Sequence, residues 1–582
     1  MSNTKRLWTV FCRLRQNHSS ISCSVLFSLF VFSLLLTRPW PTPVHLQGEL
    51  GSAIDIKFER INGTEFVKQY TFSSELFERR FHSLKPLEMK AISGDLSVKL
   101  NGIQYDLKND VILKLPVWTS VRFKLKPLIS MLLTSLVGGL LFYFVISNMG
   151  RLRDKKSFIV IPLLLIFIYG SSNPGIFWFD TYVNLDTAAV YGLSEFTGLL
   201  FCGILMSLYQ LFPELGLVHW LNFFIVAFSL ISIYLDTKSK KQIFLFGIGL
   251  SLILFYPANT NFNISSNRDV AAMWVLGVFL LQLLKHRFDS NRLQSRASFW
   301  FLLILSCALR LEFIYVVILL SPLLLLKKKF KLFSGTVLIV GSLLLINHGI
   351  ISPGDRNAYQ STAFINPLSY ILKTKYSDKL PDEIDKRLGN YFKNSHLLDH
   401  YSEFEINPFH YGGVNPTATS EDYRQFRSAT FEIISENIGL FIENRFKFIQ
   451  SMFGFSHLKP YIGFLNEPAS NPYLQVIMIR LGFDPDKKFS ENRFINLYGL
   501  DLSFSSPWYM SYFLAVILLF TGVLYKNKSF YAILTILFIR TVIVILTAPA
   551  PMYKYNFVIW VVACFSLVYI QQHKQADAAL KT

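Results

Sequence analysis

The sequence predicts a mainly α, polytopic transmembrane helical bundle of about 12 to 13 spans, with a small N-terminal extracytoplasmic β-rich domain and a larger extracytoplasmic α-rich segment. Three observations predict it. The 582 residues are 52% hydrophobic and 16% aromatic but only 16% charged, a balance that suits hydrocarbon surroundings better than a solvated globule. Apolar runs of roughly 15 to 22 residues recur, the length a helix needs to cross about 30 Å of hydrocarbon. The basic residues behind the net charge of +19 fall mostly in short clusters between those runs: "RLRDKK", "KSKK", "KHRFDSNRLQSR", "KKKFK" and "YKNK". Cytoplasmic loops look like this under the positive-inside bias, and the pattern speaks against nucleic acid as the partner.

Residues 1–37 read as a cytoplasmic tail and a first anchor helix, expected to be uncleaved because no small-x-small site precedes "TRPWPTP". Residues 38–126 read as the β-rich domain. In "IDIKFERINGTEFVKQYTF" and "LSVKLNGIQYDL", Asn-Gly sits between alternating apolar and polar residues, the strongest local signal for a hairpin. Residues 127–348 form a membrane domain with spans near 127–148, 157–170, 217–235, 243–257, 271–285, 297–309, 313–326 and 331–348. The run 196–212 is apolar enough to cross, but a crossing there would turn three basic clusters outward; it is expected to be re-entrant, interfacial or paired with a further crossing.

Residues 349–507 form an external domain or lid, with a helical stretch starting near Ser420, where Glu421 and Asp422 suit a first turn. Residues 508–582 return to the membrane with runs 508–525, 529–547 and 555–571 and end in a short cytoplasmic tail. Cys12, Cys23, Cys202, Cys307 and Cys564 lie in the N-terminal tail or in apolar runs, and no CxxC occurs. Neither a disulfide framework nor a cysteine metal site is expected. No internal repeat is found, which withholds support from an inverted-repeat transporter.

Chemistry-bearing residues gather at the span ends assigned to the outer face. "NPGIFWFDTYVNLDTAAVYG", residues 173–192, holds Asp180 and Asp186 just after a span. On a helix six residues turn by about 600°, so the two carboxylates point roughly 120° apart and make no close dyad by themselves. Asp180 also suits a helix N-cap. "SNRDVAAMW" brings Arg268 and Asp269 to the start of another span, either as a neutralised interfacial pair or as a phosphate holder. "CALRLEFIYVV" holds Arg310 and Glu312, expected at an external hairpin tip. Arg540 lies midway along "ILFIRTVIVIL" and should face the interior, meeting an acid or an anionic ligand. "APAPMYKYNFVIW" places Lys554 between Tyr553 and Tyr555, for which interfacial snorkelling is the plain explanation.

In order along the chain, "FWFDTYVNLDTAA", "SNRDVAAMW", "LRLEFIYVV", "ENIGLFIENRFKF" and "PMYKYNFVIW" resemble the GT-C superfamily of polyprenyl-phosphate-sugar-dependent glycosyltransferases, which includes protein mannosyltransferases and lipid A aminoarabinose transferases. The resemblance runs from about residue 157 to 571. It implies a lipid-linked sugar donor, an extracytoplasmic site, inversion at the anomeric carbon and a glycan, lipid or protein acceptor. Asp180 matches the family's acidic first-loop residue and is the expected general base, with Asp186 beside it. Arg268, Arg310, Arg540 and Lys554 are the expected phosphate-binding cations, supported by Asp269, Glu312, Tyr553 and Tyr555. The resemblance admits a divalent ion, Mg or Mn, while no His-rich set demands one. The chain departs from the family pattern in lacking an adjacent Asp-Glu pair in the loop 171–192 and an "EKPP"-like stretch before the next apolar run, and in carrying the added N-terminal anchor and β-rich domain.

Three other readings stay open. An O-antigen polymerase or ligase would rely on an external-loop arginine such as Arg356. A lipid or sugar flippase would place polar groups at the midplane, as Arg540 alone does. A scaffold would leave Asp180 remote from every cation. The sequons "NGT" at 62–64 and "NIS" at 263–265 decide nothing, and the lack of external cysteines and of a retention signal points toward a bacterial plasma (inner) membrane, crossed many times.

Overall fold

A computed structural model describes residues 21–35, eight strands between 42 and 115, 125–154, 156–172, 185, 199–211, 216–289, 297–310, 313–314, 317–318, 330–350, 353–377, 379–399, 401, 414–415, 418–453, 508–548 and 553–579. After the apolar helix α1 (Ile21–Leu35), the strands β1 (Thr42–Gly48), β2 (Ala53–Glu59), β3 (Glu65–Thr71), β4 (Leu76–Phe81), β5 (Leu87–Ser93), β6 (Leu96–Leu100), β7 (Ile103–Leu107) and β8 (Leu113–Leu115) form two four-stranded sheets. Their orders are β4-β1-β6-β7 and β3-β2-β5-β8, with antiparallel pairing throughout. Across the two Asn-Gly sites, Glu59 registers with Glu65 and Leu100 with Ile103.

The rest is helical. The elements are α2 (Leu125–Asp154), α3 (Val160–Ser171), α4 (Leu199–Leu211), α5 (Leu217–Asp236), α6 (Lys240–Phe255), α7 (Pro257–Asn263), α8 (Arg268–Lys285), α9 (Ala297–Leu309) and α10 (Phe330–Ile350). Then follow α11 (Pro353–Tyr376), α12 (Asp382–Leu388), α13 (Ser420–Glu436), α14 (Ile438–Phe453), α15 (Trp508–Val523), α16 (Lys528–Thr547) and α17 (Phe557–Ala579). Helices α8 and α17 are the centre of the bundle. Residues 268–284 of α8 are buried on every side, which a helix tolerates only when neighbours surround it.

Small residues let these helices approach. A Cβ added at Gly277 would lie 2.4 Å from a methyl of Val561, and one at Gly249 of α6 would lie 2.4 Å from the Cys564 carbonyl oxygen. Large apolar side chains on the surrounding helices face outward, among them Phe244, Leu338, Leu345, Phe520 and Phe538. Such an outward apolar surface is consistent with membrane association.

Part of the expected set of spans is seen. Among the described residues three helices, Leu217–Asp236, Lys528–Thr547 and Phe557–Ala578, are long and apolar enough to cross a membrane, and six further apolar stretches of 10 to 17 residues lie in α1, α2, α3, α9, α10 and α15. A span needs an unbroken helix of about 20 residues, a length that α2, with 30 residues, and α10, with 21, also reach. Helix α6 stops at Tyr256, before Pro257, and the buried α8 carries Arg268, Asp269, Gln282 and Lys285. Of the run 313–326, residues 313–314 and 317–318 are described. The run 196–212 becomes α4, whose 13 residues extend only about 20 Å. It packs on α2, α5 and α9, joined to α2 by the Ser130 and Ser207 hydroxyls at 2.6 Å.

Helices α11 to α13 enclose a separate core of Ile365, Leu368, Tyr391, Phe426 and Ile433. Helix α13 begins at Ser420 as expected and is capped by Thr419, whose hydroxyl accepts from the Asp422 N–H while the Asp422 carboxylate accepts from the Thr419 N–H at 2.7 Å. This reciprocal box satisfies two helix-end donors. Helix α14 then packs on α11, α15 and α16 and ties this unit to the membrane helices.

Candidate functional site

The start of α8 is fixed by side chains from three neighbouring helices. Asn267 caps it, its side-chain Oδ1 accepting from the Asp269 N–H at 2.9 Å. Asn222 of α5 donates to the Ser265 and Asn267 carbonyls at 3.1 and 2.8 Å, and the Tyr169 hydroxyl of α3 donates to the Asn263 carbonyl at 2.8 Å. Trp274 donates its indole N–H to Asn263 at 2.8 Å. The two ring nitrogens of His219 lie 3.1 Å from the Ile264 carbonyl and 2.9 Å from the Tyr169 carbonyl. Backbone polar groups in this turn are thereby satisfied away from water, the condition for irregular chain inside a bundle. Sequence reading passed over His219 and Asn222, although polar residues at i and i+3 in the apolar run "VHWLNFF" are a recognisable signal.

On that platform the cations converge. Arg310, just past α9, donates from Nη1 to Asp269 Oδ1 at 2.7 Å, and Arg268 Nε lies 3.7 Å from the same oxygen. Asp269 is 1% exposed and the Arg310 residue 7%, so the pair is shielded from solvent screening. The Arg310 guanidinium lies over the Tyr555 ring, 5.3 Å from its centre. Arg540 of α16, 4% exposed, donates to Asn556 Oδ1 at 3.2 Å and to the Tyr555 carbonyl, with its guanidinium 5.4 Å from the centre of the Phe313 ring. Three guanidiniums thus share one end of the bundle with Asp269 and the 3₁₀ turn Tyr553–Asn556.

Two expectations change. Arg310 is buried in an ion pair and is no surface hairpin tip, because Asp269 offers a carboxylate that offsets its desolvation. The Tyr555 ring is buried beneath Arg310 beside Phe448 and Val544, so it does not snorkel. Arg540 faces inward as its midway position required. Asp180, Asp186 and Glu312, with the side chains of Tyr553 and Lys554, lie outside the described residues. Arg356 bonds to His348 at the α10–α11 junction.

The opposite end of α8 is closed differently. Asp236 meets Lys285 at 2.6 Å, Arg151 at 3.4 Å and the Tyr569 hydroxyl at 3.1 Å, and Arg287 pairs with Asp577 at 2.7 Å. Asp269 and Lys285 stand about 24 Å apart along the helix, so the two charged layers bracket an apolar slab. Arg151, Lys285 and Arg287 all come from the basic clusters of the sequence.

A divalent ion fits the described part of the site poorly, since Asp269 already lies against two guanidiniums, and no step below runs through a metal. Among the described residues no group of three His, Cys, Asp or Glu forms a ligand set. No protein-family model, curated protein or solved structure matches this chain. The class that fold and site define is therefore a helical protein with membrane-spanning character and a buried arginine cluster at one end of its central helices.

Proposed function

We propose that the protein is an integral-membrane glycosyltransferase of GT-C type that moves a sugar from a polyprenyl-phosphate donor to an acceptor hydroxyl outside the cytoplasm, in cell-envelope or surface-glycan assembly. The observation that carries this reading is the gathering of Arg268 and Arg310 on Asp269 at a buried helix end, with Arg540 on the turn at Tyr555 and Asn556 beneath Arg310. A phosphate anion presents several acceptor oxygens, and guanidiniums hold them in planar pairs. The basic layer formed by Arg151, Lys285 and Arg287 supports a cytoplasmic position for the other end of α8. The arginine cluster then faces the outer compartment of a plasma membrane, with the β strands and helices α11–α14 on that side.

In the proposed reaction the Asp180 carboxylate takes the acceptor hydroxyl proton, and that oxygen attacks C1 of the sugar from the face opposite the lipid phosphate. The bond from C1 to the phosphate oxygen breaks with inversion. Its electron pair leaves on a phosphate whose growing charge Arg268, Arg310, Arg540 and Lys554 stabilise. The competing polymerase or ligase reading would draw on Arg356, which is engaged with His348.

The test is transfer of radiolabelled sugar from polyprenyl phosphate in proteoliposomes, with wild type beside Asp180→Asn and Arg310→Lys. Loss of transfer in Asp180→Asn with retained donor binding, and weakened binding in Arg310→Lys, are the expected results. Donor binding that ignores Arg310 and Arg540 overturns the reading.

A further inference from the structure

Helix α14 has three distinct sides. Steps of four residues advance by about 40° around a helix, so Ile438, Ile442 and Phe446 occupy one arc of about 80°. They are 55%, 60% and 58% exposed. The arc on one flank faces protein: Asn444 meets Asn366, Phe448 packs with Val544 and Tyr555, and the buried Arg445 donates to the Ile545 and Ala548 carbonyls at 3.2 Å each. The arc on the other flank is polar and half exposed, with Glu443 and Lys447 paired at 3.2 Å and both bonded to the Tyr370 hydroxyl of α11 at 2.7 and 2.9 Å. An apolar side lying between a protein side and a water side belongs to a helix resting in a membrane interface.

The position of α14 fixes what covers its apolar arc. Arg445 sits on the final carbonyls of α16, a helix long and apolar enough to cross the bilayer. On α16 the side chains of Phe538, Val542 and Leu546 are exposed, and α14 packs on the end of that helix through Arg445 and Phe448. The geometry points to α14 as an interfacial helix: Ile438, Ile442 and Phe446 lie in the acyl-chain boundary of the leaflet next to the arginine cluster, with Glu443 and Lys447 at headgroup level. The occupant of this surface is lipid. The inference stands independently of any glycosyl transfer and rests only on α16 being a span. Lipid contact there holds helices α11–α13 at a set height above the membrane, because α14 joins that unit to α16.

Photolabelling tests it, with the full-length protein in phosphatidylethanolamine and phosphatidylglycerol nanodiscs, a diazirine confined to hydrocarbon, and residue-level mass spectrometry. Ile438, Ile442 and Phe446 should carry label at the level of Phe538 and about ten-fold above Glu443 and Lys447, the contrast of an interfacial helix. Ile442→Asp changes only the exposed arc, and it should remove label from Ile438 and Phe446 while Phe538 keeps its own. A stripe as weakly labelled as Glu443 beside a labelled Phe538 shows water or protein over the arc and overturns the inference. So does label at Ile438 and Phe446 that is unchanged in Ile442→Asp.

Discussion

Arg310 and Asp269 come from different helices, 41 positions apart in the chain, and meet at 2.7 Å in the interior. The pair ties the end of α9 to the start of α8. Asp269→Ala takes the carboxylate from two buried guanidiniums and should lower stability by about 3 to 5 kcal/mol, whereas Arg310→Ala leaves Asp269 the Arg268 contact at 3.7 Å and should cost less. The apolar double variant Asp269→Leu, Arg310→Met should recover much of that loss. Thermal unfolding in detergent, followed by tryptophan emission, checks both. A double variant as unstable as the singles would show that the pair is no isolated electrostatic unit.

Arg540 offers a planar fork that a lysine cannot reproduce. Under the proposed function, Arg540→Lys should reduce sugar transfer by about 10²- to 10³-fold, the usual consequence of losing one transition-state donor. The assay needs a parallel unfolding measurement, because Arg540 also bonds the turn at Tyr555 and Asn556. A variant that unfolds like wild type and transfers at full rate removes Arg540 from the site.

Close helix approach should make Gly277 intolerant of bulk. Gly277→Leu drives a side chain into Val561 and should destabilise the protein by about 1 to 3 kcal/mol through overpacking. Gly247 has nothing within 4 Å of its added Cβ, so Gly247→Ala serves as the control and should unfold within a degree or two of wild type.

The capping box of α13 predicts a pH response. Bonds from the Thr419 hydroxyl and backbone N–H hold the Asp422 carboxyl below its ordinary value of 3.8. A depressed carboxyl contributes stability at neutral pH, and that contribution is lost as pH falls through the folded-state value. Hydrogen exchange at residues 420–424, corrected for intrinsic rate, should therefore keep its protection at pH 5 and lose it below about pH 3.8. In Asp422→Asn the exchange should be faster at pH 5 and should lack this step.

The sequence by itself determined the helical, membrane-seeking character of this chain, because composition and the spacing of basic clusters are properties of the chain alone. It also marked Arg268, Asp269, Arg310, Arg540 and Tyr555 as unusual, since charge in an apolar run is costly wherever it sits. Of the spans it counted, three stand out among the described residues as long and apolar enough to cross. Only the tertiary structure decided that Arg310 reaches Asp269, that Arg540 closes on the turn at Tyr555, and that His219 and Asn222 hold the turn before α8. Those contacts join residues tens to hundreds of positions apart. Their partners are chosen by which helix faces pack together, which local periodicity leaves open.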